Sequence, residues 1–135
     1  MDLHHILCIV ILCLSRADVK MYQDACDLCN CTLDSFHQWH VDCSNRDLNY
    51  SMVPTVYPNL TISLILSHNP IGGLLNKSFS ELHSLEILDI SHASLVIVEK
   101  EAFDGLYNLE ILDISHNLLM ISNRSVYVRL VRDLT

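Results

Sequence analysis

Four cysteines near the N-terminal end of the sequence are the side chains with the clearest chemical potential. They are Cys26, Cys29, Cys31 and Cys43, and two histidines, His37 and His40, stand between the last two. Thiolates and imidazoles in this number are enough to hold a zinc ion in tetrahedral geometry. The Cys26-x2-Cys29 pair has the spacing of a redox dithiol. In an oxidising compartment, the same cysteines form disulfides.

The first residues indicate the compartment. An apolar run over residues 6–14 is followed by two small residues, Ser15 and Ala17. The run is too short to cross a bilayer and has the length of a signal-peptide core. We therefore predict a signal peptide over residues 1–17. Its removal takes two further cysteines with it and leaves an even number, which favours disulfides over zinc or redox chemistry.

Five N-x-S/T sequences favour the same extracellular compartment. None has proline in the middle position, and they begin at Asn30, Asn49, Asn59, Asn76 and Asn123. Such sequences are acceptors for N-glycans in secreted proteins. We predict a glycoprotein that carries glycans at these positions. After residue 14 no second apolar run is long enough for a membrane span, although a longer gene product could contain one.

The charge of the chain limits its partners. Sixteen acidic residues against eight basic ones give a formal net charge of -8. Nucleic-acid binding requires clustered lysine and arginine, so no nucleic-acid partner is expected. An acidic surface also gains nothing from anionic lipids.

An internal repeat places these residues on a framework. Segments that follow L-x-x-L-x-L-x-x-N-x-L with few exceptions begin at residues 61, 85 and 109, a period of 24. The apolar residues alternate in each segment, so they line one face of a short strand. One such strand cannot bury that face alone, whereas stacked parallel strands about 4.8 Å apart share one core. Phe79 and Phe103 are expected to stack on the opposite, convex side.

The turn after each strand has a position for asparagine. Asn69 and Asn117 occupy it, but the middle repeat has Ala93. A buried amide there can satisfy turn backbone groups of its own and of the neighbouring repeat. The alanine predicts a weakened repeat, at a cost of about 1–3 kcal/mol if backbone groups stay unpaired.

The segment before the repeats carries a family resemblance. The cluster Cys26-x2-Cys29-x-Cys31 leads to V-D-C-S-x-R-x-L over residues 41–48, then to Val-Pro, a further proline and the first repeat. In this order the chain resembles extracellular leucine-rich-repeat proteins with an N-terminal cysteine-rich cap, over residues 26 to about 130. The resemblance implies an α/β-type solenoid, a horseshoe segment with parallel strands on its concave face.

The resemblance also implies a cysteine pairing and domain limits. The disulfides would be Cys26–Cys31 and Cys29–Cys43, closing the open end of the solenoid, and Phe36 and Trp39 are expected to pack inside the cap. The predicted limits are residues 18–60 for the cap and 61–84, 85–108 and 109–132 for three repeats, the last degenerate.

The concave face is the predicted ligand site, since the resemblance implies protein ligands there. The candidate contact residues are Ile87, Asp89, His92, Ile111, Asp113 and His116. Acidic and apolar side chains in neighbouring columns suit a basic protein partner. A histidine column that begins at His68 has the residue type for metal binding or pH sensing. However, Ser-His-Asn is a frequent filler in such repeats, and no metal or cofactor is expected.

These observations favour an extracellular protein-interaction module for recognition, adhesion or a receptor ectodomain. A small leucine-rich matrix glycoprotein is the alternative, although no Ser-Gly pair for glycosaminoglycan attachment is present. An enzyme is not expected, because the serine, histidine and aspartate columns lie on an open face that does not exclude water. The sequence after the third repeat contains no cysteine cap, which favours a fragment of a longer receptor. Its partner would be an extracellular or cell-surface protein.

Overall fold

The computed structural model describes residues 24–119. The predicted signal peptide, the end of the third predicted repeat and the sequon at Asn123 lie outside these residues. The described elements are α1 (Ala25–Leu28), β1 (Asn30–Leu33), β2 (Trp39–Asp42), β3 (Thr61–Ile65), β4 (Gly73–Leu74), β5 (Ile87–Asp89), β6 (Ile97–Val98) and β7 (Ile111–Asp113).

Five strands form one sheet in the order β1-β2-β3-β5-β7. The repeat strands β3, β5 and β7 pair in parallel, and Leu64, Leu88 and Leu112 lie side by side. The predicted stack of parallel strands with a 24-residue period is therefore confirmed. On the return path β4 pairs in parallel with β6, and the rest of that path between the repeat strands consists of turns.

The core lies between these two sheets. Leu64, Leu66, Leu88 and Ile90 are fully buried behind the strands. Phe79 is 1% exposed on the convex side, and its ring stacks on that of Phe103 with centroids 6.3 Å apart, as predicted. Phe103 itself is half-buried.

The cap forms the first turn of the solenoid. β1 and β2 form an antiparallel hairpin, and β2 pairs in parallel with β3. Disulfides join Cys26 to Cys31 and Cys29 to Cys43, the pairing that the family resemblance implies. Cys29 and Cys43 are buried. The cap therefore covers the end of the repeat core with a short segment that buries few large apolar side chains of its own.

The expectation that Phe36 packs inside the cap is wrong. This side chain is 79% exposed at the tip of the hairpin. The cause is local: the carboxylate of Asp34 accepts hydrogen bonds from the N–H groups of Phe36 and Gln38, at 2.8 and 2.9 Å. These bonds fix a tight turn whose tip lies away from the core. Trp39, the first residue of β2, directly follows this turn and is half-buried.

Candidate protein-interaction face

The concave face is built from columns of side chains that the strand register aligns. One column contains Ser63, Ile87 and Ile111, and the next contains Ile65, Asp89 and Asp113. The buried leucines alternate with these positions, so both columns lie on the face of the sheet that is turned away from the core. Ile111 is 55% exposed there, whereas Ile87 and Asp89 are half-buried.

The acidic column is longer than the repeats alone predict. β2 pairs with β3 so that Asp42 lies opposite Ile65, in the column that continues to Asp89 and Asp113. Sequence reasoning missed Asp42 because it lies in the cap. A signal for it exists: Asp42-Cys43-Ser44 has the same Asp-x-Ser pattern as the segments that begin at Asp89 and Asp113.

Each of these aspartates is held by the serine two residues later. The carboxylates of Asp42, Asp89 and Asp113 accept hydrogen bonds from the following serine N–H groups at 2.9, 2.8 and 2.8 Å. Hydrogen bonds from Ser44 lower the pKa of Asp42, and the nearby charge of Arg46 lowers it further. Hydrogen bonds from Ser115 lower the pKa of Asp113 in the same way. Both carboxylates are therefore ionised at neutral pH.

Three histidines form a stack beside the acidic column. The ring centroids of His68 and His92 are 4.5 Å apart, and those of His92 and His116 are 4.3 Å apart, with the rings within about 10° of parallel. All three residues have positive φ angles, between 51° and 58°. Parallel stacked rings do not converge on one point. Within residues 24–119, no group of three metal-ligating side chains is placed to hold an ion.

Comparison with known proteins agrees with this geometry. A family model described as "Leucine rich repeat" matches residues 58–119. Residues 58–119 are therefore leucine-rich repeats. The parallel strands, the 24-residue period and the disulfide-bonded cap agree with this match.

The similar proteins include receptors. "Adhesion G protein-coupled receptor A3" is 54% identical over 50 residues in Danio rerio and 48% identical over 50 residues in Homo sapiens. "Toll-like receptor 4" of Felis catus is 38% identical over 55 residues. These matches cover 37%, 37% and 41% of this chain. They cover only 4%, 4% and 7% of the relatives, so the likeness extends to a short segment of each receptor.

The six contact residues predicted from the sequence lie near one another. Ile87 and Ile111 are adjacent in the first column, Asp89 and Asp113 are adjacent in the second, and His92 and His116 stack. Four of the six side chains are exposed, and those of Ile87 and Asp89 are half-buried. The register thus brings all the predicted residues to one surface.

The cysteines of the cap have a structural role in this arrangement. Both members of the Cys26-x2-Cys29 pair are bonded to other cysteines, so neither forms the redox disulfide of a dithiol motif. His40, one of the histidines considered for zinc, instead lies 3.3 Å from the carboxylate of Asp34. The cysteines are thus used in disulfides rather than as zinc ligands.

Four of the five sequon asparagines lie within the described residues, and all four are exposed. They are Asn30, Asn49, Asn59 and Asn76. Asn49 and Asn76 use the amide oxygen, which accepts from the N–H groups of Ser51 and Glu101 at 3.0 and 2.9 Å. Their amide nitrogens, the atoms to which an N-glycan attaches, take no part in these bonds. Among the described residues, no helix is long and apolar enough to cross a membrane.

Proposed function

We propose that this chain is an extracellular recognition module whose concave face binds a basic segment of a protein partner. The acidic column of Asp42, Asp89 and Asp113 carries the proposal. Asp89 and Asp113 lie directly opposite each other on neighbouring strands. Like charges in that arrangement repel and destabilise the sheet, and an arginine or lysine bound between them would relieve the repulsion.

The apolar column beside the carboxylates supplies the second part of the binding surface. Ile111 exposes 55% of its surface next to Asp113, and Ile87 adjoins it on the preceding strand. Apolar contact at the centre with charged groups beside it is the usual composition of a protein interface. The histidine stack borders the same surface, with His92 and His116 as the proposed contacts.

The location of the module is proposed from independent features. Two disulfides stabilise the cap, and disulfides persist in oxidising compartments. The predicted signal peptide and the exposed sequon asparagines support the same location. The similar proteins are named as receptors. We propose that the chain acts as a secreted module or as part of a cell-surface ectodomain, and that it has no catalytic activity.

A charge-removal variant tests the binding surface. Replacing Asp42, Asp89 and Asp113 with glutamine removes the charge and keeps an amide oxygen at each position, whereas asparagine would turn each Asp-x-Ser segment into an N-x-S glycosylation sequence. Screening the secreted parent against an array of extracellular proteins supplies binders for the comparison. The triple variant should bind them about tenfold more weakly, equal to about 1.4 kcal/mol, with a smaller dependence on salt concentration.

A matched control removes the same charge elsewhere. Asp27→Gln, Glu81→Gln and Asp104→Gln change three exposed carboxylates outside the acidic column. This control should keep the parent's affinity and salt dependence. If both triple variants bind equally weakly, the loss of net charge alone explains the effect. If the variant of Asp42, Asp89 and Asp113 binds as tightly as the parent, the concave face is not the binding site.

A further inference from the structure

A groove lies on a flank of the molecule that the proposed binding face does not use. The loop before β3, residues 55–61, and the return turn before β5, residues 77–84, line a cavity of about 950 Å³. Asn59 and His83 both belong to this lining. The groove combines apolar side chains with serine hydroxyls, a mixture that suits a carbohydrate.

An exposed aromatic pair continues one side of the groove. His83 and Tyr107 occupy equivalent positions one repeat apart, and their rings stack with centroids 5.6 Å apart. Tyr107 is 82% exposed. The ring of His83 is held in place, because its Nδ1 donates to the carbonyl of Gly105 at 3.1 Å. Asn108 also donates to the carbonyl of His83 at 2.7 Å, which joins the two turns.

Asn59 occupies the same position one period earlier than His83. The three residues 59, 83 and 107 are separated by 24 residues each. Asn59 is exposed and is the acceptor of the sequon Asn59-Leu60-Thr61. The hydroxyl of Thr61 donates to the carbonyl of Pro58 at 2.7 Å and holds the loop that presents this asparagine.

We infer that the glycan on Asn59 folds back into this groove, with its first N-acetylglucosamine ring packed against the face of the His83 imidazole that Tyr107 leaves free. The inference rests on the proposed glycosylation of this chain. Successive positions in the column are about one strand spacing apart, roughly 4.8 Å. A sugar that leaves Asn59 along the column therefore meets the imidazole, and Tyr107 supports that ring from its other side.

The physical reason is burial of apolar surface that is otherwise in water. The C–H faces of a sugar ring pack on an aromatic face, while its hydroxyl and acetamido groups keep their hydrogen bonds at the edge. The groove offers the hydroxyls of Ser78, Ser80 and Ser84 for those bonds. The seated glycan covers the free face of the imidazole and leaves the concave face open.

Native deglycosylation tests this inference. The full chain is secreted from cells that make oligomannose glycans and is digested without denaturation by an endoglycosidase that cuts between the first two sugars. Mass spectrometry follows each sequon. Cleavage at Asn59 should be about tenfold slower than at Asn30 and Asn49, because the first sugar must leave the imidazole face before the enzyme can bind the glycan.

Two variants and a control make the result specific. His83→Ser with Tyr107→Ser should raise the rate at Asn59 to that at Asn49, whereas Tyr107→Phe, which keeps the ring, should retain slow cleavage. Leu118→Ser removes an exposed apolar side chain after the end of β7, two strands away from β3, and should leave the rate at Asn59 unchanged.

The possible outcomes distinguish the seated glycan from glycosylation itself. An unmodified Asn59 overturns this inference, and if the remaining sequons are also unmodified, the proposed glycosylation fails with it. A modified Asn59 that is cleaved as fast as Asn49 overturns the seated glycan alone. Slow cleavage that persists in the double serine variant also contradicts it, because the aromatic pair would then have no part in the protection.

Discussion

Asn69 and Ala93 occupy equivalent turn positions, but they serve the preceding turn of the solenoid in different ways. The amide oxygen of Asn69 accepts from the N–H groups of Arg46 and Leu48 at 2.9 and 3.0 Å. Its amide nitrogen donates to the carbonyls of Cys43, Leu66 and Ser67. One buried side chain thus joins the cap to the first repeat, and Asn117 does the same for the turn at Ala93 and Leu95.

The turn that faces Ala93 satisfies part of its backbone without an amide. The N–H of Ile71, which is equivalent to that of Leu95, donates to the carbonyl of Asn69 at 2.8 Å. The N–H of Gly72 donates to the carbonyl of Ala93 at 3.1 Å. The expected penalty for alanine is therefore reduced by a local rearrangement. An asparagine amide is therefore one way to satisfy the backbone groups of such a turn, and in the turn that faces Ala93 backbone hydrogen bonds partly take its place.

Removing the disulfide between Cys29 and Cys43, which lies beside the turn that Asn69 holds, should lower the free energy of unfolding more than any change at that turn. Replacing Cys29 and Cys43 with alanine should lower the free energy of unfolding by about 3 kcal/mol, because the unfolded chain gains freedom. The Cys26–Cys31 disulfide closes a shorter loop, so the matched change there should cost about 1 kcal/mol less. Denaturant unfolding of the secreted variants measures both. An equal loss for the two pairs would contradict the loop-length argument.

Removing the amide at the cap junction should have the next largest effect. Asn69→Ala leaves the buried N–H of Leu48 and carbonyl of Cys43 without their partner, and should cost about 2 kcal/mol. Asn117→Ala should cost about 1 kcal/mol, because Asn117 is only half-buried and water can replace some of its bonds. The same unfolding experiment compares them. If Asn69→Ala is neutral, the amide does not hold the junction.

Placing an asparagine at the turn position of the middle repeat should have the smallest effect on stability, and it should raise the free energy of unfolding rather than lower it. Ala93→Asn places an amide beside the turn at Asn69 and Ile71, and should raise the free energy of unfolding by about 1 kcal/mol. Ala93 is fully buried, so the gain depends on room for the larger side chain. Ala93→Ser, which adds one hydroxyl in less volume, is the matched control. A loss of stability with asparagine and none with serine would show that packing, rather than hydrogen bonding, selects alanine here.

The repeating framework follows from the sequence pattern alone. A strand with one apolar face needs neighbours, so a 24-residue period with alternating leucines implies stacked parallel strands, and the register follows from the period. This reasoning also puts Phe79 beside Phe103 and brings Asp89 opposite Asp113, as the structure confirms. The cysteine pairing comes from the resemblance to a family, since spacing alone leaves several connectivities open.

The way in which the cap joins that framework is visible only in the folded chain. Asp42 pairs with Ile65 at a separation of 23 residues, whereas Ile65 pairs with Asp89 at 24, and an irregularity in β2 at Trp39 and His40 accompanies the change. The period therefore cannot place Asp42 in the acidic column. The exposure of Phe36 was equally hidden, because hydrogen bonds to one carboxylate, and not hydrophobicity, set the direction of that turn. Periodic burial is encoded locally, but the junction depends on contacts between segments that are distant in the chain.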